Sequence, residues 1–342
     1  MRIYCTLFDS GYIARGLALA DSLNKHCSPN RLYILCMDND VGMLLARLTV
    51  PNIILVRLDE LEAEDKQLAD VKPTRNTVEY YFTCKASLVR YVLAKNTDCE
   101  RVTYLDADLF FFSDPAQLDN EIAASSVAVI EHRFSPGNQR LYKYGRFNAG
   151  WLSVRNDATG HCCIEWWRSR CLEWCHDYVD GDRYADQKYM DKFPELFNAT
   201  VVSNIGANLA PWNIGNYILT HHDGKIFVDN HPVIFFHFQG VKRLFGALIE
   251  SGLASYRQQL TSIARDFLFV PYLEKWHEAE YMVVKVRQEL ARRGGEKQPG
   301  MIAPKIKRGS LVRRYRILLT SILRNLKYRT LFLSSGDSRG QR

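Results

Sequence analysis

The stretch VTYLDADLFFFSDP, residues 102 to 115, constrains what this chain can fold into more than any other feature. An apolar strand runs into Asp106-Ala107-Asp108, and apolar residues then resume. Two carboxylates set among buried residues are costly unless a cation neutralises them. If strand geometry persists through the pair, residues i and i+2 point the same way and converge on one hard cation. A lone Asp-x-Asp is common in solvated turns, so it is the apolar frame that turns this pair into a metal-site candidate.

The segments before this stretch alternate strand and helix. Arg2 to Phe8, Arg31 to Met37 and Ile53 to Leu58 read as buried strands. Between them Tyr12 to Lys25 shows helical periodicity, and Val41 to Leu48 makes a second helix. Thr83 to Ala94 is a further helix, and Val102 to Leu105 a further strand. Continuous apolar strands in this order predict a parallel sheet covered on both faces. In open sheets of that kind, ligands bind at the carboxyl ends of the strands, where Asp106 and Asp108 fall.

Later segments are more mixed. Val127 to Glu131, Trp151 to Arg155 and Val233 to Phe238 read as strands. His161 to Tyr178, Tyr184 to Lys192 and Pro271 to Arg293 read as helices, and Gly294 to Pro304 as a linker. At 342 residues, with 47% hydrophobic and 24% charged side chains, the chain has the make-up of a globular protein. Its nine cysteines are scattered and odd in number, which predicts free thiols in a reducing compartment. Residues 1 to 12 carry neither a secretory signal nor a membrane span, so the expected location is the cytoplasm.

Three further features carry candidate chemistry. His237, after four apolar residues and before Gly240, suits a metal ligand as well as a core histidine bonded to a carbonyl. Lys242 nearby offers a phosphate contact, although alone it is a surface lysine. In FNAGWLSVRND and YADQKY, Gly150 lets the backbone approach a ligand, while Asn148, Asp186 and Gln187 offer groups for sugar hydroxyls. Trp151, Trp212 and Tyr189 are the aromatic faces available beside them. Cys171 and Cys175 with His161 and His176 suggest zinc, but helical packing explains them better because a second cysteine pair is absent. There is no G-x-x-x-x-G-K and no G-x-G-x-x-G phosphate loop.

Taken together and in this order, the motifs resemble the GT-A superfamily of glycosyltransferases, and within it family 8 and its bacterial nucleotide-diphospho-sugar transferase relatives. The residues that carry the likeness are Asp9 after the first strand, Asp106-Ala107-Asp108, Asn148-Ala149-Gly150, Asp186-Gln187 and His237-Phe238-Gln239-Gly240. It covers roughly residues 1 to 245. The resemblance implies a Rossmann-like mixed α/β sheet flanked by helices. It also implies an enzyme that transfers a sugar from a nucleoside-diphosphate sugar, with a UDP-sugar favoured and configuration retained. Asp106, Asp108 and His237 would then hold Mn²⁺ or Mg²⁺. Asp9, Lys85, Gly150, Gly240 and Lys242 would lie along the donor, with Asp186, Gln187 and Asn148 at its sugar. One departure touches Lys242: the family often has lysine six residues after the histidine, then Pro-Trp. Here the lysine is five after and Pro-Trp is missing, which leaves Arg243 as a substitute.

The expected organisation is a catalytic domain over 1–270, a helix and linker over 271–300, and a basic amphipathic tail over 301–342. From Val283 onward there are 16 Lys and Arg against 3 Asp and Glu, whereas the remaining 282 residues carry 29 against 35. The net charge of +7 therefore belongs to the tail. Within residues 305–329, Leu311, Tyr315, Leu318, Ile322 and Leu326 fall at helical spacing among arginines. Such a helix either lies on an anionic membrane surface or packs on the domain with its arginines in water. The first suits a lipid-linked acceptor, as in surface polysaccharide synthesis, and a saccharide acceptor suits either. No basic stripe extends into the body, so no nucleic-acid partner is expected. The competing functions are a sugar-nucleotide pyrophosphorylase, which should open with a Gly-rich loop this chain lacks, and a non-catalytic nucleotide-sugar- or carbohydrate-binding protein.

Overall fold

The computed structural model describes residues 1–245 and 248–294, together with Asn325, Lys327 and residues 330–333. The first part builds in the expected order: β1 (Arg2–Phe8), α1 (Ile13–His26), β2 (Asn30–Cys36), α2 (Asn39–Leu48) and β3 (Ile53–Arg57). Two short helices follow, α3 (Leu58–Glu64) and α4 (Lys66–Val71), and then the long α5 (Thr77–Lys95). Helix α5 starts six residues before the predicted Thr83. Asn76 and Glu79 form a capping box there, each side chain taking up the other's free backbone N–H. The extra turns bring Tyr81 and Phe82 onto the same helix as Lys85.

The middle contributes β4 (Arg101–Leu105), β5 (Leu109–Phe111), α6 (Ala116–Ile122), β6 (Val127–Glu131) and β7 (Phe147–Arg155). Strand β7 begins four residues earlier than predicted and so carries Asn148 and Gly150. Helix α7 (Ala158–Glu173), capped by Asp157, stops short of the predicted Tyr178. Beyond it the aromatic residues pack on one another: Trp174 meets His176 edge-on with ring centres 5.2 Å apart, and His176 stacks on Tyr178 at 5.6 Å. The predicted helix over Tyr184–Lys192 is replaced by a turn through Asp186. A 3-10 segment (Lys188–Lys192) then leads into α8 (Phe193–Phe197). Ala185 lies at φ +47° in that turn, a conformation costing on the order of 1–3 kcal/mol for a residue with a Cβ.

The remainder is β8 (Thr200–Val202), the small meander β9 (Leu219–His222), β10 (Lys225–Val228) and β11 (His231–Pro232), then β12 (Phe235–His237). A hairpin of β13 (Lys242–Phe245) and β14 (Leu248–Glu250) comes next. Short α9 (Ser262–Ala264) passes through a π-turn into α10 (Val270–Gly294). The last strand, β15 (Leu331–Leu333), pairs antiparallel with β14, Ile249 facing Phe332. Within the basic tail, Leu331–Leu333 is thus a sheet edge and not helix. Asn325 and Lys327 are helical, and the rest of the predicted amphipathic segment lies outside the described residues.

Seven strands form the central sheet in the order β3-β2-β1-β4-β7-β6-β8. The run from β3 to β4 is parallel, and β7 is antiparallel to both of its neighbours. This is the mixed α/β sheet with flanking helices that the resemblance implied, and the parallel order predicted from the strand pattern holds from β3 to β4. One face carries α5 and α7 over a core including Phe147 and Trp167. The other carries α1, α2 and α10 over Leu19, Leu23 and Phe235. Full burial of each such side chain contributes about 1.5–3 kcal/mol. All nine cysteines are free, and Cys171 and Cys175 sit in the first of these cores. Among the described residues, no helix is long and apolar enough to cross a membrane.

Candidate functional site

Strand β4 belongs to the central sheet, while β5 pairs with β12 in a separate two-stranded ribbon. Asp106-Ala107-Asp108 is the crossing between them. The N–H of Asp106 donates to the carbonyl of Gly150 on β7 at 2.9 Å, and the N–H of Phe238 donates to the carbonyl of Asp108 at 2.8 Å. Strand geometry therefore does not persist through the pair, contrary to the sequence expectation. A turn closed by Leu109 N–H on Asp106 O at 3.2 Å takes its place, because the two ends serve different sheets. The carboxylates still converge.

The β5–β12 register sets His237 opposite Leu109, one residue beyond Asp108. Its Nε2 lies 3.0 Å from Asp108 Oδ1 and 3.9 Å from Asp106 Oδ2. One ligand atom from each of Asp106, Asp108 and His237 lies within 4.8 Å of the others. The Asn148 amide reaches Nδ1 of the ring at 3.4 Å, and Trp212 packs edge-on against it, centroids 5.1 Å apart. The imidazole is thus oriented from both sides, as ligating histidines are.

Lys85 comes up from α5 beneath the pair. Its ammonium is 3.1 Å from Asp106 Oδ1, 3.3 Å from Asp186 Oδ2 and 3.4 Å from the carbonyl of Ala149. Tyr104, two residues before Asp106, donates its hydroxyl to Asp106 Oδ1 at 2.9 Å. Burial works against the charges here, and their mutual attraction decides the outcome at three of four groups. Burial disfavours the Asp108 carboxylate, but His237 and then Arg15 outweigh it and hold the group below its usual range. Burial likewise opposes charge on His237 and Lys85, yet their carboxylate neighbours raise both. At Asp186 burial prevails over Lys85, and the carboxyl is raised.

Two clefts meet at this cluster. The first, of ≈ 350 Å³, is bounded by Asp9, Tyr12, Tyr81 and Asp108; the second, of ≈ 270 Å³, by Tyr144, Tyr184, Asp186 and Trp212. Lys85, Asp106, His237 and Gln239 line both. Asp9 accepts from the hydroxyl of Tyr81 at 3.1 Å. Gln187 holds the strand that carries Asn148, accepting from Ala149 N–H at 3.2 Å and donating to Tyr144 O at 3.0 Å. A Cβ on Gly150 would lie 2.6 Å from Asn148 Oδ1, 2.7 Å from His237 Cε1 and 2.8 Å from Asp106 Oδ2. Only glycine fits in that cradle.

Of the remaining sequence candidates, Gly240 takes φ +80° where the chain passes the Cα of Gly252. Lys242 lines neither cleft; it faces Glu250 across the β13–β14 hairpin with an ion pair of 3.0 Å. Arg243 pairs with Glu280 of α10 at 2.9 Å. Trp212 reaches the second cleft, whereas Trp151 and Tyr189 are core residues. Sequence reading missed Tyr81, Tyr104, Tyr144, Tyr184 and Arg15. For two of them a signal exists: Tyr104 shares a strand face with Asp106, and Tyr81 lies one helical turn before Lys85.

Two carboxylates and an imidazole make a donor set suited to Mn²⁺ or Mg²⁺. The glycine cradle keeps the space between them open. The residues present therefore fit a divalent cation.

Two curated proteins of Bacillus subtilis (strain 168) are similar over most of the chain. The uncharacterized protein YfnD is 34% identical over 280 residues, 80% of this chain and 89% of YfnD. The uncharacterized protein YfnF is 36% identical over 250 residues, 70% of this chain and 81% of YfnF. No protein-family model matches. Among solved structures, the galactosyltransferase LgtC in complex with donor and acceptor sugar analogues is 20% identical, with a TM-score of 0.48 over 70% of this chain and 87% of LgtC. The glycosyltransferase GlyE of Streptococcus pneumoniae TIGR4 is 17% identical, with a TM-score of 0.47 over 86% of this chain and 64% of GlyE.

Proposed function

This chain belongs to the same family as YfnD and YfnF, and we propose that it is a metal-dependent GT-A glycosyltransferase that transfers a sugar from a nucleoside-diphosphate sugar to a saccharide or lipid-linked acceptor. The observation that carries this reading is the convergence of Asp106, Asp108 and His237 at the junction of two clefts. One cleft then takes the nucleotide and the other the sugar that leaves it. The ordered motifs from Asp9 to Gly240 support the same reading, with a UDP-sugar as donor and Mn²⁺ as the cation that the imidazole favours.

Asp106, Asp108 and His237 hold the cation in this account. When bound, it acts as a Lewis acid on the diphosphate as negative charge develops there, without a proton donor. The chain's own residues do the rest. Lys85 fixes Asp106 and Asp186 in one geometry, so that the metal-binding and sugar-binding sides move together. Asp186 and Asn148 accept from and donate to the sugar's hydroxyls, and Gln187 keeps the Asn148 strand in register. Trp212, Tyr144 and Tyr184 present aromatic faces to a sugar ring and exclude water from it.

Retention of configuration fits this arrangement. The carboxylates lining the two clefts are Asp9, Asp106, Asp108 and Asp186. Asp9 is taken by Tyr81 and Gly11, Asp106 and Asp108 belong to the metal set, and Asp186 is paired with Lys85. Among the described residues, none is left as the base that an inverting transfer needs at the acceptor hydroxyl. The basic segment 305–329 brings the enzyme to an anionic membrane surface where a lipid-linked acceptor would lie. The test is donor turnover across a panel of nucleotide sugars with Mn²⁺ and with EDTA. Release of nucleoside diphosphate that EDTA abolishes supports the reading; metal-independent release contradicts it.

A further inference from the structure

A basic side chain beside the metal stabilises a departing diphosphate further, and four lie on the segments around the donor site: Arg15, Lys85, Lys242 and Arg243. Lys85 directs its ammonium at Asp106, Asp186 and the Ala149 carbonyl, which uses all three of its protons. Lys242 is paired with Glu250, and Arg243 with Glu280. Arg15, from the first turn of α1, has no carboxylate within ion-pair distance among the described residues.

The guanidinium of Arg15 is nevertheless held in place. It lies 4.5 Å from the ring centre of Tyr12 and 4.4 Å from that of Trp276. One N–H donates to the carbonyl of Val241 at 3.0 Å, which ties it to the segment that begins with His237 and Gly240. Arg15 stands behind the first cleft and not in its lining: Tyr12 lines that cleft beside Asp9, Asp106 and Asp108, and the charge of Arg15 acts on Asp108. A planar cation held against two rings, with most of its donors unspent, is pre-organised to bind an anion and loses little side-chain freedom in doing so.

We propose that Arg15 is the diphosphate-binding cation of this chain, taking the part that family resemblance gave to Lys242. The inference rests on the glycosyltransferase reading and deepens it. Guanidinium forks match phosphate oxygens in pairs, and a charge-assisted contact to a bound diphosphate strengthens as charge moves onto the leaving group. The missing Pro-Trp and the shifted lysine then have a physical counterpart: the lysine closes a hairpin instead, and α1 supplies the charge.

The experiment titrates the wild-type chain with UDP, GDP, ADP and CDP in Mn²⁺. The diphosphate that binds and its parent nucleoside are then compared on Arg15→Gln and Arg15→Lys, with thermal melting to confirm folding. The expected result is a loss of about ten- to hundredfold in diphosphate affinity for Arg15→Gln, from the range for hydrogen bonds to charged groups. Nucleoside affinity stays as in wild type, and Arg15→Lys recovers part of the loss. Equal weakening of diphosphate and nucleoside would make Arg15 a structural clamp and overturn the proposal, as would undiminished diphosphate binding by Arg15→Gln. Should one variant fail to fold, the other gives the same comparison. A wild-type chain that binds none of the four diphosphates would instead overturn the glycosyltransferase reading, and this inference with it.

Discussion

Gly150→Ala isolates the geometry of the site without replacing a charged group. The added Cβ would stand 2.6 Å from Asn148 Oδ1, 2.7 Å from His237 Cε1 and 2.8 Å from Asp106 Oδ2, where ordinary contact begins near 3.4 Å. The three groups must therefore retreat by about 0.6–0.8 Å together, and the backbone cannot yield for them. Gly150 O receives the N–H of Asp106, and its own N–H is held by Asn148 Oδ1 at 2.5 Å. Overpacking of this kind costs about 1–3 kcal/mol of stability. Metal–ligand distances tolerate only about 0.2 Å, and a displacement of about 1 Å at a catalytic group can cost about a hundredfold in rate. We expect Gly150→Ala to fold, to need at least about tenfold more Mn²⁺ for half-maximal turnover, and to turn over roughly a hundredfold more slowly at saturating metal. The assay is release of nucleoside diphosphate against Mn²⁺ concentration, with a melting curve on the same sample. Wild-type turnover with a wild-type metal requirement would refute the argument that this glycine keeps the ligand set open.

Three further outcomes are expected. Asp108→Asn keeps the shape but removes a charge from the metal set, so turnover should fall at least about a thousandfold, or roughly 4 kcal/mol of lost stabilisation. Lys85→Met leaves Asp106 and Asp186 without their shared cation, and breaking a buried pair costs about 3–5 kcal/mol; its melting temperature should drop by on the order of 10 °C, and an unchanged melt would contradict the pairing. His132 is buried against Phe134 and Trp212, and that burial pushes its imidazole down to about 3. The unfolded chain protonates it near the ordinary histidine value of 6.5, so below that pH the unfolded state binds the extra proton and stability falls as pH falls. Urea midpoints between pH 7 and 4 should show a loss of up to about 1.4 kcal/mol per pH unit from this group. His132→Phe should flatten the profile by that amount, and an unaltered slope would contradict the assignment.

The sheet was legible in the sequence where strands are buried on both faces. Arg2–Phe8, Asn30–Cys36 and Val127–Glu131 are apolar almost throughout, and a parallel α/β core leaves such runs little alternative. The Asp106–Asp108 pair was legible for the same reason, since its setting made isolated carboxylates costly. Element ends were harder to place. The start of α5 depends on the Asn76–Glu79 box, a local polar device that apolar periodicity does not register. The ends of α7 and of the segment at Tyr184 depend on aromatic stacking and on Ala185 at positive φ, both fixed by tertiary contacts. Partnerships were least legible. Nothing in the spacing of Lys242 announces Glu250, because a hairpin register sets that pair. Arg15 looked like one more polar residue on a helix until Tyr12, Trp276 and the Val241 carbonyl were brought around it.

The central claim is that Asp106, Asp108 and His237 serve nucleotide-sugar chemistry through a divalent cation. The most direct test is release of nucleoside diphosphate from a panel of donor sugars by the wild-type chain, run with Mn²⁺, with EDTA, and with Mn²⁺ restored. The account predicts release from one donor, its loss in EDTA and its return with the metal. Release that continues undiminished in EDTA would contradict it.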